Sequence, residues 1–193
     1  MKKASFILAV LAISLLSFVS LPPATWILDK AHSNLRFSVT SLMISEVEGT
    51  FKMTEATITA PKEEDFSNAV VNMVADVNSV DTNEPDRDKH LKSADFFDAA
   101  KYPTIVFKSS QFEKQSDKKY KVTGDLTFHG ITKQVALDVI VNYGTHPICK
   151  KTLAGFKISG TIKRTDFGIA ASTPAAMLGD EVVIVANTQF AKN

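Results

Sequence analysis

The chain alternates apolar and polar residues with a period of two over much of its length, as side chains do on the two faces of a β-strand. The alternation is clearest in the runs that begin at Leu35, Val122, Val135 and Phe156, where β-branched residues are frequent. We predict strands near residues 25–30, 33–40, 45–59, 68–79, 104–114, 120–129, 133–143, 153–165 and 181–191. Eight or nine short strands in one domain favour a closed barrel or a sandwich.

One connection between these strands is marked clearly. The dipeptide His129-Gly130 separates two alternating runs, so we expect the flanking strands to form a hairpin. No internal repeat, low-complexity tract or linker interrupts residues 25–193, which indicates a single domain.

The stretch from Asp81 to Tyr102 breaks the alternation. Thr82 or Asn83 can cap a helix there, and Pro85 fits its first turn because proline lacks the amide that the helix would leave unbonded. We therefore expect one short helical insertion that ends near Ser93.

The first 24 residues have the order of a secretory signal peptide: two lysines, an apolar run from Phe6 to Val19, and a short segment that contains two prolines. We expect cleavage after Ala24 and export to the periplasm or beyond. The alternative, an uncleaved membrane anchor, is less favoured because the run is shorter than the roughly 20 apolar residues that span a bilayer.

Charge and cysteine content exclude some classes of function and structure. Removing Lys2 and Lys3 with the signal lowers Lys plus Arg from 22 to 20, against 21 Asp plus Glu. This near neutrality argues against a nucleic-acid partner, which is held by neutralising phosphates. Cys149 is the single cysteine, so no internal disulfide can form and the domain must be stabilised by its apolar core.

Five segments, in order along the chain, resemble the landmarks of the YceI-like family. They are Trp26-Ile27-Leu28-Asp29 with His32-Ser33; the block from Arg87 to Asp98 with Lys101-Tyr102-Pro103; Gly124-Asp125-Leu126-Thr127; Arg164-Thr165-Asp166-Phe167-Gly168; and Gly179-Asp180-Glu181-Val182. The resemblance implies an all-β fold, an extended eight-stranded antiparallel β-barrel similar to lipocalins, with an apolar interior that takes a polyisoprenoid chain. It also implies export, no catalytic residue set and no cofactor besides the bound lipid.

The apolar positions of the predicted strands supply the candidate lining. The lipid-binding candidates are Leu35, Phe37, Val39, Met73, Phe96, Phe97, Phe107, Leu126, Phe128, Val139, Phe156, Ile158, Ile162 and Ile184. Their periodicity fits a solid core as well as a hollow one, because apolar alternation builds every β core. The resemblance, rather than the periodicity, favours a cavity.

The helical stretch carries further candidates. Arg87, Lys89 and Lys92 could meet an anionic headgroup, although nearby aspartates make a solvated surface an open alternative. Phe96 and Phe97 are adjacent aromatics flanked by charge, so we expect at least one to insert into the end of the barrel.

Polar residues give little support for catalysis or metal binding. Asp86 and His90 would share one helix face while Asp88 points away, so the three would not converge on a metal. Asp29 with His32 and Ser33 has the residue types of a hydrolase triad, but turn formation explains them more simply. We predict no metal site and no enzyme.

Two hypotheses remain in first and second place. The first is non-enzymatic binding or carriage of an apolar isoprenoid-type lipid, such as a polyprenyl phosphate or a quinone, in the barrel interior. The second is a ligand-free structural or stress-related interaction protein with a packed core. A homodimer is conceivable through exposed strand edges, and no stable membrane span is expected after signal cleavage.

Overall fold

The structure, a computed structural model, describes residues 22–193. It contains eight β-strands and one α-helix. They are β1 (Ala24–Ser41), β2 (Ser45–Ala60), β3 (Val70–Asp81), α1 (Pro85–Leu91), β4 (Thr104–Lys114), β5 (Lys119–Phe128), β6 (Ile131–Thr145), β7 (Thr152–Lys163) and β8 (Leu178–Lys192). A single 3₁₀ turn, Arg164–Phe167, follows β7.

Each strand pairs antiparallel with the next, and β8 pairs with β1, so the sheet closes into a barrel. The predicted all-β barrel with one short helical insertion is confirmed. Closure leaves no unpaired edge strand in the described part of the chain. That the protein forms a homodimer stays a prediction. No helix within residues 22–193 is long and apolar enough to span a membrane.

Antiparallel order divides the connections between two ends of the barrel. The helix end carries the β1–β2 turn, the long β3–β4 connection with α1, the β5–β6 turn and the β7–β8 connection. The base carries the β2–β3, β4–β5 and β6–β7 connections.

The strands predicted at 25–30 and 33–40 are in fact one strand, β1, with a register shift between Ile27 and Leu35. Polar side chains build this irregularity. Asp29 accepts hydrogen bonds from the Ala31 amide at 3.1 Å and pairs with His32 Nδ1 at 2.8 Å. The Ser33 hydroxyl accepts one from the Gln189 amide at 3.0 Å. The three residues that resembled a triad therefore shape a bulge.

The helix begins one to two residues later than expected. Its N-cap is Glu84, whose carboxylate accepts a hydrogen bond from the Asp86 amide, rather than Thr82 or Asn83. Thr82 is buried and bonded to the helix through its hydroxyl instead. The last helical residue is Leu91, so the predicted end near Ser93 is slightly late.

The predicted hairpin is confirmed: Phe128 pairs with Ile131 across a two-residue turn. His129 (φ 51°) and Gly130 (φ 74°) both have left-handed backbone, which matches the right-handed twist of the flanking strands. A side chain at Gly130 would also meet the ring of Tyr102.

Aromatic side chains fill the base of the barrel. The β2–β3 connection turns Phe66 inward until it is fully buried. Its ring centroid lies 4.8 Å from that of Phe156, 5.5 Å from Trp26 and 5.6 Å from Tyr143. The base is thereby closed by side chains from a loop and three strands.

The predicted domain boundary lies at the start of β1. Ala24, the residue after which we expected cleavage, already pairs with Ala60 of β2. Residues 1–21 of the predicted signal peptide lie outside the described residues.

Candidate functional site

A cavity of about 500 Å³ occupies the barrel between the aromatic base and the helix end. Its volume lies within the range of roughly 300–1,000 Å³ found for small-molecule sites. On β2 the lining runs from Val47 to Ile58. At about 3.3 Å per residue and a strand tilt of about 40°, this span corresponds to a depth of roughly 28 Å. The space is long enough for an extended chain.

The lining is almost wholly apolar. Its polar and charged side chains are Arg36, Ser41, Arg87, His90, Arg164, Thr173 and Thr188. Thr188 belongs to the lower half of β8, where it pairs with Phe156, while most of the others belong to the helix end. A ligand that fills the shaft therefore meets few groups able to form hydrogen bonds.

The structure places all fourteen predicted lipid-binding residues on this lining, from Leu35 of β1 to Ile184 of β8. That they contact a lipid stays a prediction. The interior is not filled by these side chains, so the packed core of the second hypothesis is not what the structure shows.

Several lining residues were missed on β2 and β4, the two strands in which a bulge changes the side-chain parity partway along. These are Phe51, Met53, Ala56, Ile58 and Phe112. On β2 a register shift separates Met53 from Glu55, and on β4 another separates Ser109 from Gln111. Beyond each bulge the inward residues change from odd to even numbers. The change of apolar parity within each segment was the available signal.

The cavity opens at the helix end, which we call the mouth. His90 and Met177 line the cavity and are also exposed to solvent. Phe97 is inserted as predicted, with 7% exposure and ring centroids 5.7 Å from Phe51 and 5.2 Å from Phe128. Phe96 is half-buried and packs edge-on against His90 at 4.8 Å.

The three basic headgroup candidates differ in position. Arg87 lines the cavity and is held by Thr82, donating to the Thr82 hydroxyl from Nε and to the Thr82 carbonyl from Nη2, both at 2.8 Å. Asp88 accepts from the Thr82 amide at 2.9 Å and from its hydroxyl at 2.6 Å. Lys89 and Lys92 do not line the cavity, so Arg87 is the better placed of the three.

A second cation, Arg164, is buried in the wall of the mouth. Its guanidinium donates to five backbone carbonyls: those of Gly179, Ile169, Ala170, Thr173 and Leu178. All five N–H groups of the side chain are thus used. Arg164 clamps the β7–β8 connection against the start of β8. Its place in the segment from Arg164 to Gly168 did not indicate this role.

A carboxylate beside this clamp carries a perturbed pKa. Asp180 accepts hydrogen bonds from the Thr165 hydroxyl at 2.7 Å and the Thr165 amide at 3.2 Å. The side-chain hydrogen bond from Thr165 is the main reason that the pKa of Asp180 lies below its ordinary value of 3.8. The ionised Asp180 carboxylate therefore stabilises the folded arrangement of the mouth at neutral pH.

In the part of the chain that the structure describes, no group of three or more His, Cys, Asp or Glu side chains could hold a metal ion. Cys149 is exposed on the β6–β7 turn at the base.

The closed barrel and its deep apolar cavity define a hydrophobic ligand-binding barrel. The chain belongs to the YceI-like family, since residues 26–190 match the YceI-like domain. It is 38% identical to protein YceI of Escherichia coli O157:H7 over 160 residues, which cover 82% of each chain.

Solved structures give the same assignment. The chain resembles the Campylobacter jejuni YceI protein with a TM-score of 0.72 and 34% identity, over 78% of this chain and 87% of that one. It shares the fold of a polyisoprenoid binding domain from Saccharophagus degradans, implicated in plant cell wall breakdown. That likeness has a TM-score of 0.65 at 14% identity, over 87% of this chain and 98% of the other.

Proposed function

We propose that this protein binds an apolar isoprenoid-type lipid, such as a polyprenyl phosphate or a quinone, along the axis of its barrel and carries out no chemistry on it. The observation that supports this most strongly is the cavity of about 500 Å³ with its nearly continuous apolar lining. An unbranched or sparsely branched chain suits a narrow shaft better than a compact polar metabolite does.

The free energy of binding would come from burial of the chain. Each methylene moved from water to an apolar interior contributes about 0.8 kcal/mol, so one five-carbon unit contributes about 4 kcal/mol before ordering costs. A tail of a few units is therefore held without a polar anchor. Selection of tail length follows from where the shaft ends, at Phe112, Phe156 and Phe190 above the buried Phe66.

The name of the Saccharophagus degradans domain supports the choice of an isoprenoid, because that protein shares this fold. Position supports a headgroup at the mouth near Arg87, where a cation lines an otherwise apolar opening. The proposal includes export, since a lysine-bearing apolar segment precedes the barrel in the sequence.

The ligand is tested by mass spectrometry of an organic extract of the purified protein, followed by loading with polyprenyl phosphates and quinones from detergent. We expect a co-purifying isoprenoid, or uptake close to one molecule per chain. Absence of both would contradict the proposal.

A matched pair of variants locates the ligand. Ala186 lines the cavity on β8, whereas Ala136 is exposed on the outer face of β6. Ala186→Phe places a ring in the shaft, so we expect several-fold lower uptake, or a shift to shorter chains, with the fold retained because the ring enters a void. Ala136→Phe should load as the unaltered protein does. Equal loading of the two variants would place the lipid elsewhere.

A further inference from the structure

Four exposed apolar side chains stand together beside the mouth. Leu42, Met43 and Ile44 form the β1–β2 turn and are 57%, 72% and 84% exposed, and Met177 of the β7–β8 connection is 57% exposed. The Leu42 amide donates to the Met177 carbonyl at 3.0 Å, which joins the two segments. We call these four residues the apolar tip.

Folding gives no reason for the composition of the tip. Leu42 (φ 52°) and Met43 (φ 59°) both adopt left-handed backbone, a conformation that glycine, asparagine and aspartate adopt more easily. Exposed apolar residues are ordinary when scattered singly, but three in succession at a strained turn are not. A contact outside the chain accounts for them better than packing within it.

The tip is continuous with the cavity. Met177 belongs to both, and Ser41 and Val47, which flank the turn on β1 and β2, also line the cavity. Apolar surface therefore runs from the shaft, over the rim, to the end of the turn. Whatever the tip touches becomes the surroundings of a lipid that enters or leaves at this side of the mouth.

The tip is also free of charge. Residues 40–45 contain no charged side chain, and the first one beyond them, Glu46, accepts a hydrogen bond from the Thr40 hydroxyl at 3.0 Å. The turn can thus lose its water without burying an ion. An acidic neighbour gives no preference for an anionic surface.

We propose that the apolar tip inserts into the surface of a lipid bilayer and seats the mouth on the membrane from which the lipid is taken. Three consecutive exposed apolar side chains on one turn would need a shaped pocket in a protein partner, whereas the acyl region of a bilayer accepts them in any arrangement. The purpose assigned to this contact rests on the proposed lipid ligand.

The test is co-sedimentation of residues 22–193, which contain the whole barrel, with phosphatidylcholine vesicles. The tip variant combines Met43→Ser with Ile44→Ser. The control is Ile148→Ser, because Ile148 is 85% exposed on the β6–β7 turn at the base. We expect the unaltered chain and the control to bind the vesicles equally well. The tip variant should bind them at least about tenfold more weakly. Added salt or anionic lipid should change little.

Lack of vesicle binding by the unaltered chain, or equal binding by the tip variant, would overturn the inference. The inference would also be overturned if sedimentation velocity showed a dimer of the unaltered chain and the only effect of the tip variant were to dissociate that dimer. Loading from detergent separates this inference from the proposed function. The tip variant should load normally from detergent but slowly from vesicles. Failure of both proteins to load from detergent would refute the lipid ligand, while the vesicle comparison would still decide whether the tip binds membranes.

Discussion

The two ends of the barrel are held together by different interactions. At the base, Phe66 from a loop fills the space between Trp26, Tyr143 and Phe156, and close packing of these rings stabilises the end. At the mouth, Phe97 packs against Phe51 and Phe128 but leaves the opening unfilled. The connections there are held by side chains bonded to backbone atoms, above all Arg164.

The difference follows from what each end must do. A closed end can bury apolar rings, which gain free energy in proportion to the area removed from water. An open end cannot be filled completely, because complete filling would close the cavity. Its connections are instead fixed by hydrogen bonds around the rim: Arg164 with five carbonyls, Arg87 with Thr82, and His129 Nδ1 with the Phe167 carbonyl at 3.0 Å. Hydrogen bonds that involve charged groups are stronger than neutral ones.

The largest expected effect on stability comes from removing an aromatic ring from the base. Phe66→Ala removes a fully buried ring, and such a truncation lowers the free energy of unfolding by about 3–5 kcal/mol. Phe96→Ala, at the half-buried position in the mouth, should lower it by about 1 kcal/mol. Urea unfolding followed by circular dichroism measures both. Similar losses for the two variants would show that Phe96 stabilises the mouth as strongly as Phe66 stabilises the base.

The second prediction concerns the Arg164 clamp. Arg164→Lys keeps the charge but offers three N–H groups at one point in place of five in a planar fork, so some carbonyls lose their partners. We expect a loss of about 2–3 kcal/mol and faster amide hydrogen exchange between residues 165 and 178, with the base unaffected. Arg87→Lys is the control. Arg87 forms only two such hydrogen bonds, so this variant should lose less free energy of unfolding. Uniform acceleration of exchange throughout the barrel would contradict a clamp confined to the mouth.

The smallest effect is the pH dependence of the two ends. The pKa of Asp180 at the mouth is lowered chiefly by the Thr165 hydroxyl, and that of Asp65 at the base by the Ser67 hydroxyl. A lowered folded-state pKa means that each carboxylate stabilises the fold above the ordinary value of 3.8. This contribution is lost as the pH falls through the folded-state pKa.

We therefore expect Asp180→Asn and Asp65→Asn each to lower stability at pH 7 by less than about 1 kcal/mol, because both groups are near solvent. The deficit should shrink as the pH falls below 4. Thermal unfolding between pH 7 and pH 3 measures the change. A deficit that stays constant over this range would show that the carboxylates act through shape rather than charge.

Much of the barrel could be predicted from sequence because period-two alternation directly reflects the two faces of a strand. The runs from Val122 and Phe156 are regular, and both are strands over most of the predicted span. Prediction failed where local chemistry interrupts the period. Asp29 and Ser33 form a bulge in β1 without ending the strand, so one strand was predicted as two.

The candidate site was predicted in part for the same reason. Phe37, Phe107 and Ile184 belong to uninterrupted stretches and line the cavity as the alternation indicated. Phe112 lies beyond the bulge in β4 and was missed. Phe66 was missed because it closes the base from a connection, where no periodicity reports which residues turn inward.

By itself, the sequence determined most of the strands, the two-residue hairpin turn, the helical insertion and the family, since each depends on residues close together or in fixed order along the chain. Only the tertiary structure decided that the interior is hollow, that one end is filled and the other open, and that an apolar turn stands beside the opening. The physical reason is that a solid core and a cavity wall require the same apolar alternation. They differ only in whether side chains from distant strands and loops meet across the barrel, and that depends on the closed geometry.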